Sequence, residues 1–154
     1  MRRLVDAPPL VAAIERFPEL YHAAMARRFC WRLGVEPRGV EPDLALIAAA
    51  ERAMVESGTA PDVFFFAHRG GRDTAGALAE AVAGHAPTAN DHHYWSGNNP
   101  QTMLIDEVEA IWAAIAERDD WRPLEAKDAV VRAMGEALGE PPVPAGHSLG
   151  PSKP

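Results

Sequence analysis

The chain reads Asn98-Asn99-Pro100-Gln101-Thr102-Met103-Leu104-Ile105-Asp106-Glu107-Val108-Glu109 at the point that decides its fold. Asn99 is a typical N-cap, because its side-chain oxygen can accept from the free N–H groups of a first helical turn. Pro100 suits the first helical position, where no N–H is needed. Apolar residues then follow at spacings of four, three and four, at Leu104, Val108, Ile111 and Ile115, with Ile105 and Trp112 beside them. This pattern predicts a helix from Pro100 to near Glu117 with one broad buried face.

The N-terminal part predicts two further helices separated by a proline. A brief helix over 8–14 should stop at Phe17, because a residue before proline avoids the α conformation. Pro18 then starts a second helix that ends at Gly34, a left-handed C-cap.

Similar start and stop signals mark the remaining helices. Asp43 is the predicted cap of a helix that Gly58 closes, and Pro61 starts a short helix through Val63-Phe64-Phe65-Phe66. A strand is the alternative for that aromatic run, since it is short and β-prone. Asp73-Thr74 is the predicted cap of an Ala-rich helix over 75–84, and Trp121-Arg122-Pro123 starts the last helix. Because no alternating strand pattern occurs, the sequence predicts an all-α fold of five or six helices.

Composition limits the organisation and the partners. The 154 residues suffice for one domain, predicted over 1–139, and the Pro-rich stretch 140–154 is predicted to be a disordered tail. A net charge of −7, with scattered basic residues, disfavours nucleic-acid binding. Neither a signal peptide nor a run of about 20 apolar residues is found, so we expect a cytoplasmic protein without a membrane partner.

The best candidate metal site in the sequence is a group of histidines and one carboxylate. His85, His92, His93 and Asp106 offer imidazole and carboxylate ligands that suit zinc and other divalent ions. However, the adjacent histidines lack a spacing that places them on one helical face, and a solvated loop is the favoured interpretation. Cys30 is the single cysteine, and its apolar helical setting predicts a buried, inert thiol.

The sequence contains no recognisable catalytic motif. Neither of the Gly-rich phosphate-binding patterns is present, and His68-Arg69-Gly70-Gly71-Arg72-Asp73 lacks the His-Arg-Asp triplet of a kinase catalytic loop. A Gly-x-Ser-x-Gly nucleophile motif is also absent. We therefore assign no catalytic and no cofactor-binding residue from the sequence.

Two segments resemble the C-terminal helical region of the selenoprotein O (YdiU-type) family of protein adenylyltransferases. The stretch from Phe17 to Phe66 is similar in its Leu33-Gly34-Val35 turn, its acidic loop and its Phe64-Phe65-Phe66 run. The second segment begins at Asn99-Pro100 and continues to Asp119-Asp120-Trp121, where a helix and an acidic turn lead to a final helix. The family's C-terminal Pro-Tyr pair is replaced here by Glu140-Pro141-Pro142.

This resemblance implies a kinase-like enzyme that transfers AMP from ATP to protein hydroxyl groups with Mg²⁺. The family's ATP and metal ligands lie in a kinase-like core that has no counterpart in this sequence. The resemblance therefore predicts a truncated or stand-alone C-terminal module, inactive alone, that packs on a kinase-like core or another protein partner. A small metal-binding protein or enzyme that uses His85, His92 and His93 is the alternative. A structural interaction domain without a ligand, which would expose an apolar face, is a third hypothesis.

Overall fold

The computed structural model describes residues 7–88 and 90–142, and these residues form an all-α fold. Its six α-helices are α1 (Ala7–Leu33), α2 (Val40–Ser57), α3 (Pro61–Ala67), α4 (Gly76–Val82), α5 (Ile105–Arg118) and α6 (Arg122–Leu138). Short 3₁₀ turns occupy Arg69–Gly71 and His93–Ser96. The predicted fold class is confirmed. The predicted tail beyond residue 142 lies outside the described residues.

The main core lies between the C-terminal part of α1 and helices α2, α3 and α4. Its members are largely aliphatic, with one aromatic ring: Cys30, Leu33, Val35, Leu46, Ala50, Phe64, Leu78 and Val82. A smaller cluster of Phe66, Trp95 and Ala137 joins α3, the loop before α5 and the end of α6. The indole N–H of Trp31 donates to the carbonyl oxygen of Leu138 at 2.9 Å, which ties α1 to the end of α6.

Most glycine and proline signals place the helix ends correctly. Gly34 and Gly58 have φ values of 76° and 63°, and each follows a helix end as predicted. Pro61 begins α3, so the helical interpretation of the Phe64-Phe65-Phe66 run is confirmed over the strand. The last helix begins at Arg122, as predicted from Trp121-Arg122-Pro123.

The predicted break at Phe17 is wrong, since α1 is one helix with Pro18 inside it. A proline in a helix removes one hydrogen bond and leaves the carbonyl four residues earlier without its partner. That carbonyl belongs to Ile14, and every residue from Ala7 to His22 is exposed. Water can therefore satisfy the lost bond, and the helix continues.

The predicted start of α5 at Pro100 is also wrong, because α5 begins at Ile105 after Leu104. The backbone N–H of Gln101 donates to the hydroxyl oxygen of Tyr94 at 3.0 Å. This contact holds the chain against the loop, so the helix starts only after it.

The predicted burial of the α5 stripe is wrong for most of its residues, although Ile111 and Ile115 are half-buried. Ala114 is the only residue of α5 that is buried, and Leu104, Ile105, Val108 and Trp112 are exposed.

Among the described residues, none of the helices is long and apolar enough to cross a membrane.

Candidate functional site

Three side chains with metal-binding atoms meet in the main core. Cys30 comes from α1, Asp43 from the first turns of α2, and His85 from the turn that follows α4. All three residues are buried, and their sulfur, oxygen and nitrogen ligand atoms lie within 4.8 Å of one another. His85 Nε2 lies 3.0 Å from Asp43 Oδ1.

Asp43 is held in place by backbone donors at the start of α2. Its Oδ1 accepts the N–H of Arg38 at 2.9 Å, and its Oδ2 accepts the N–H of Gly39 at 3.3 Å. The helix begins at Val40, so Asp43 acts from inside the helix rather than at the predicted N-cap position. The carboxylate also lies at the positive end of the helix dipole, which favours its charge.

Both ring nitrogens of His85 face hydrogen-bond acceptors. Nδ1 lies 3.0 Å from the carbonyl oxygen of Ala81, and Nε2 faces the carboxylate of Asp43. A neutral imidazole has one donor and one acceptor, so when Nδ1 donates to Ala81 a second proton must lie between Nε2 and the carboxylate of Asp43. The two side chains thus form a buried His–Asp pair joined by one proton, with side chains 0% and 4% exposed.

The thiol of Cys30 completes the cluster, with its sulfur within 4.8 Å of the ligand atoms of Asp43 and His85. Burial, and next the charge of Asp43, raise the pKa of Cys30 to about 12. The predicted buried thiol is confirmed, and its raised pKa disfavours the thiolate form on which nucleophilic attack depends. The histidine ring is engaged by Asp43 and by Ala81, so it is not placed as a base for the sulfur.

The sequence-predicted metal ligands separate in the structure. His85 lies in the buried cluster, whereas His92 and His93 lie side by side at the 3₁₀ turn, with ring centroids 4.3 Å apart. His92 Nε2 is 3.8 Å from a carboxylate oxygen of Glu136 on α6. Asp106 is exposed in the first turn of α5. Over residues 7–88 and 90–142, the group of three or more ligands that could share an ion is Cys30, Asp43 and His85.

The sequence reasoning missed this cluster because its members are far apart in the chain. Cys30 looked like core filler and Asp43 like a helix cap, and 42 positions separate Asp43 from His85. The sequence does place all three residues within or next to predicted helices, and helices of one small domain pack around a common core.

An exposed apolar stripe runs along the N-terminal part of α1, which we name the α1 arm (residues 7–22). Its apolar side chains Leu10, Ile14, Phe17 and Tyr21 recur at spacings of four, three and four, and all are at least half exposed. The rings of Phe17 and Tyr21 stack with centroids 5.9 Å apart. The buried residues of α1 begin only at Ala26, so the arm extends away from the core.

A second apolar face lies on the hairpin formed by α5 and α6. Ile105 and Trp112 are 68% and 66% exposed, and Val108 lies between them on the same face. A buried lysine, Lys127 on α6, joins the two helices by bonding both carboxylate oxygens of Glu107 at 2.7 and 2.8 Å. The hairpin is thus fixed internally by a charged contact, while much of its apolar surface faces solvent.

Comparisons with protein families, with curated proteins and with solved structures find no match to this chain.

Proposed function

We propose that this chain is a helical docking module of the selenoprotein O type, which packs on a kinase-like core and does not transfer AMP by itself. The observation that supports docking is the pair of apolar faces on the α1 arm and on α5. Contiguous exposed apolar surface is typical of protein interaction sites. The choice of a kinase-like core as partner rests on the sequence resemblance.

The exposed side chains can contribute substantial binding free energy. Full burial of a Val, Leu, Ile or Phe side chain contributes about 1.5–3 kcal/mol. Ile14 and Phe17 are each 63% exposed, so docking of either one has roughly 1–2 kcal/mol still to gain. Trp112 is a second anchor, since large aromatic side chains dominate protein interfaces.

Binding to a purified kinase-like core of a selenoprotein O-type protein, measured by calorimetry, tests the proposal. We expect the wild-type chain to bind, and Phe17→Glu or Trp112→Glu to weaken binding at least tenfold. Val55→Glu is the matched control, because Val55 is 82% exposed and lies on α2, a helix that carries neither face. All three positions are exposed, so unchanged thermal unfolding should accompany each substitution.

Three results would contradict the docking module. The first is a wild-type chain that does not bind the core, and the second is a loss of binding by Val55→Glu equal to that of Phe17→Glu. The third is micromolar binding of ATP by this chain alone, because the proposal places nucleotide binding in the partner.

A further inference from the structure

The cluster of Cys30, Asp43 and His85 has a composition that the docking function does not require. A core histidine is commonly paired with one carboxylate, but here the sulfur of a buried thiol also lies within 4.8 Å of that pair. Sulfur, imidazole nitrogen and carboxylate oxygen are the three ligand types that zinc uses in proteins. We propose that these three side chains form a Zn²⁺ site in the core of the chain.

The spacing of the ligand atoms suits one ion. Zinc binds sulfur at about 2.3 Å and nitrogen or oxygen at about 2.0–2.2 Å, so tetrahedral ligands lie roughly 3.4–3.7 Å apart. The three ligand atoms of the cluster lie within 4.8 Å of one another. An inward shift of about 1 Å for the most distant pair therefore completes the site.

The ligands are oriented as they are in metal sites. A zinc-bound histidine ordinarily donates its other N–H to a carbonyl or carboxylate. His85 Nδ1 makes this contact with the carbonyl oxygen of Ala81 at 3.0 Å, which directs Nε2 to the cluster. Asp43 is held by the backbone N–H groups of Arg38 and Gly39.

Zinc binding leaves the charge of the core unchanged. Without metal, Asp43 and His85 share one proton and are neutral as a pair, and Cys30 is a neutral thiol. On binding, Zn²⁺ forms bonds to the Cys30 sulfur, His85 Nε2 and an Asp43 oxygen. The thiol proton and the proton shared by Nε2 and the carboxylate leave to solvent, so two protons are released for each ion. The two charges of zinc then balance the thiolate and the carboxylate. The core thus avoids a net buried charge, which would be costly.

Metal loading of the full, untagged chain tests this site. The protein is stripped with a chelator, loaded with zinc and dialysed, and its metal content is measured by elemental analysis. We expect one zinc per chain in the wild type and in the double variant His92→Gln/His93→Gln. We expect His85→Gln to lower the zinc affinity more than tenfold, as judged by competition with a chromophoric chelator.

Cobalt(II) gives a readout on the wild-type chain that needs no substitution. A thiolate–cobalt bond produces a charge-transfer absorption in the near ultraviolet, and we expect this band for the wild type and its loss for Cys30→Ala. A wild type that retains less than one zinc, or binds cobalt without the thiolate band, overturns the proposal. Zinc lost by the His92→Gln/His93→Gln variant but retained by His85→Gln also overturns it, in favour of the surface histidines. None of these readouts depends on docking, so the site and the docking function fail separately.

Discussion

The thiol of Cys30 makes the stability of the metal-free protein depend on alkaline pH. Burial, and next the charge of Asp43, raise its pKa from 9.0 to about 12 in the folded state. In the unfolded chain the thiol ionises near pH 9. A group with a raised pKa in the folded state contributes stability that is complete below pH 9 and is lost as the pH rises towards 12.

The size of the effect follows from the two pKa values. At pH 10, ionisation of the unfolded thiol lowers the free energy of unfolding by about 1.4 kcal/mol, and at pH 11 by about 2.7 kcal/mol. The value at pH 10 is nearly the same for any folded pKa above about 11. It therefore depends on the thiol being buried and not on the exact pKa.

Urea unfolding at pH 8 and pH 10, with a chelator present, measures this loss. The Cys30→Ala variant is the control, since tyrosines and lysines titrate in both proteins and cancel in the comparison. We expect the wild type to lose about 1.4 kcal/mol more than the variant between the two pH values. Equal losses of unfolding free energy in the two proteins would refute a buried thiol with a raised pKa.

Four further substitutions are tested by urea unfolding. Lys127→Met leaves the carboxylate of Glu107 without its partner. Because Glu107 is 40% exposed, we expect the free energy of unfolding to fall by only about 1 kcal/mol. An unchanged free energy of unfolding would contradict a role of Lys127 in joining α5 to α6. Gly34→Ala should lower the free energy of unfolding by more than about 2 kcal/mol. The φ angle of Gly34 is +76°, and an added Cβ would lie 2.5 Å from Nε of Arg69, which packs on it. Gly58→Ala is the control for backbone strain alone, because Gly58 has φ +63° and no atom within 4 Å of the added Cβ. We expect it to lower the free energy of unfolding by about 1 kcal/mol. Tyr94→Phe removes the hydroxyl that accepts the backbone N–H of Gln101 before α5, and we expect the free energy of unfolding to fall by about 1 kcal/mol. An unchanged urea midpoint would refute this contact as the reason why α5 starts at Ile105.

The helix ends that the sequence predicted correctly depend on backbone conformation alone. Gly34 and Gly58 adopt positive φ values that other residues avoid, and Pro61 starts a helix because its N–H is not needed there. The Asn99-Pro100 start failed because a contact outside the segment decides it. Tyr94 binds the backbone N–H of Gln101, and local capping preferences contain no information about that hydroxyl.

The candidate site was less predictable than the fold, for a similar reason. His85 was named as a metal ligand, but its partners were expected in the nearby loop, at His92 and His93. The structure instead brings Asp43 and Cys30 to it from two other helices. Periodicity shows that Cys30 belongs to a buried face, but it does not show which side chains that face meets.

The α5 stripe shows how periodicity and burial can disagree within one chain. Hydrophobic spacing predicts a face that is buried, without naming the molecule that buries it. In this chain α5 is joined to α6 through Glu107 and Lys127, whereas Trp112 remains exposed. The α1 arm presents the same disagreement around Phe17. Exposure of single apolar residues is common in folded proteins. Two separate helices that each expose a whole apolar stripe are not explained in that way. A partner that covers both stripes reconciles the spacing with the structure, and for that reason the docking module is the function that we propose.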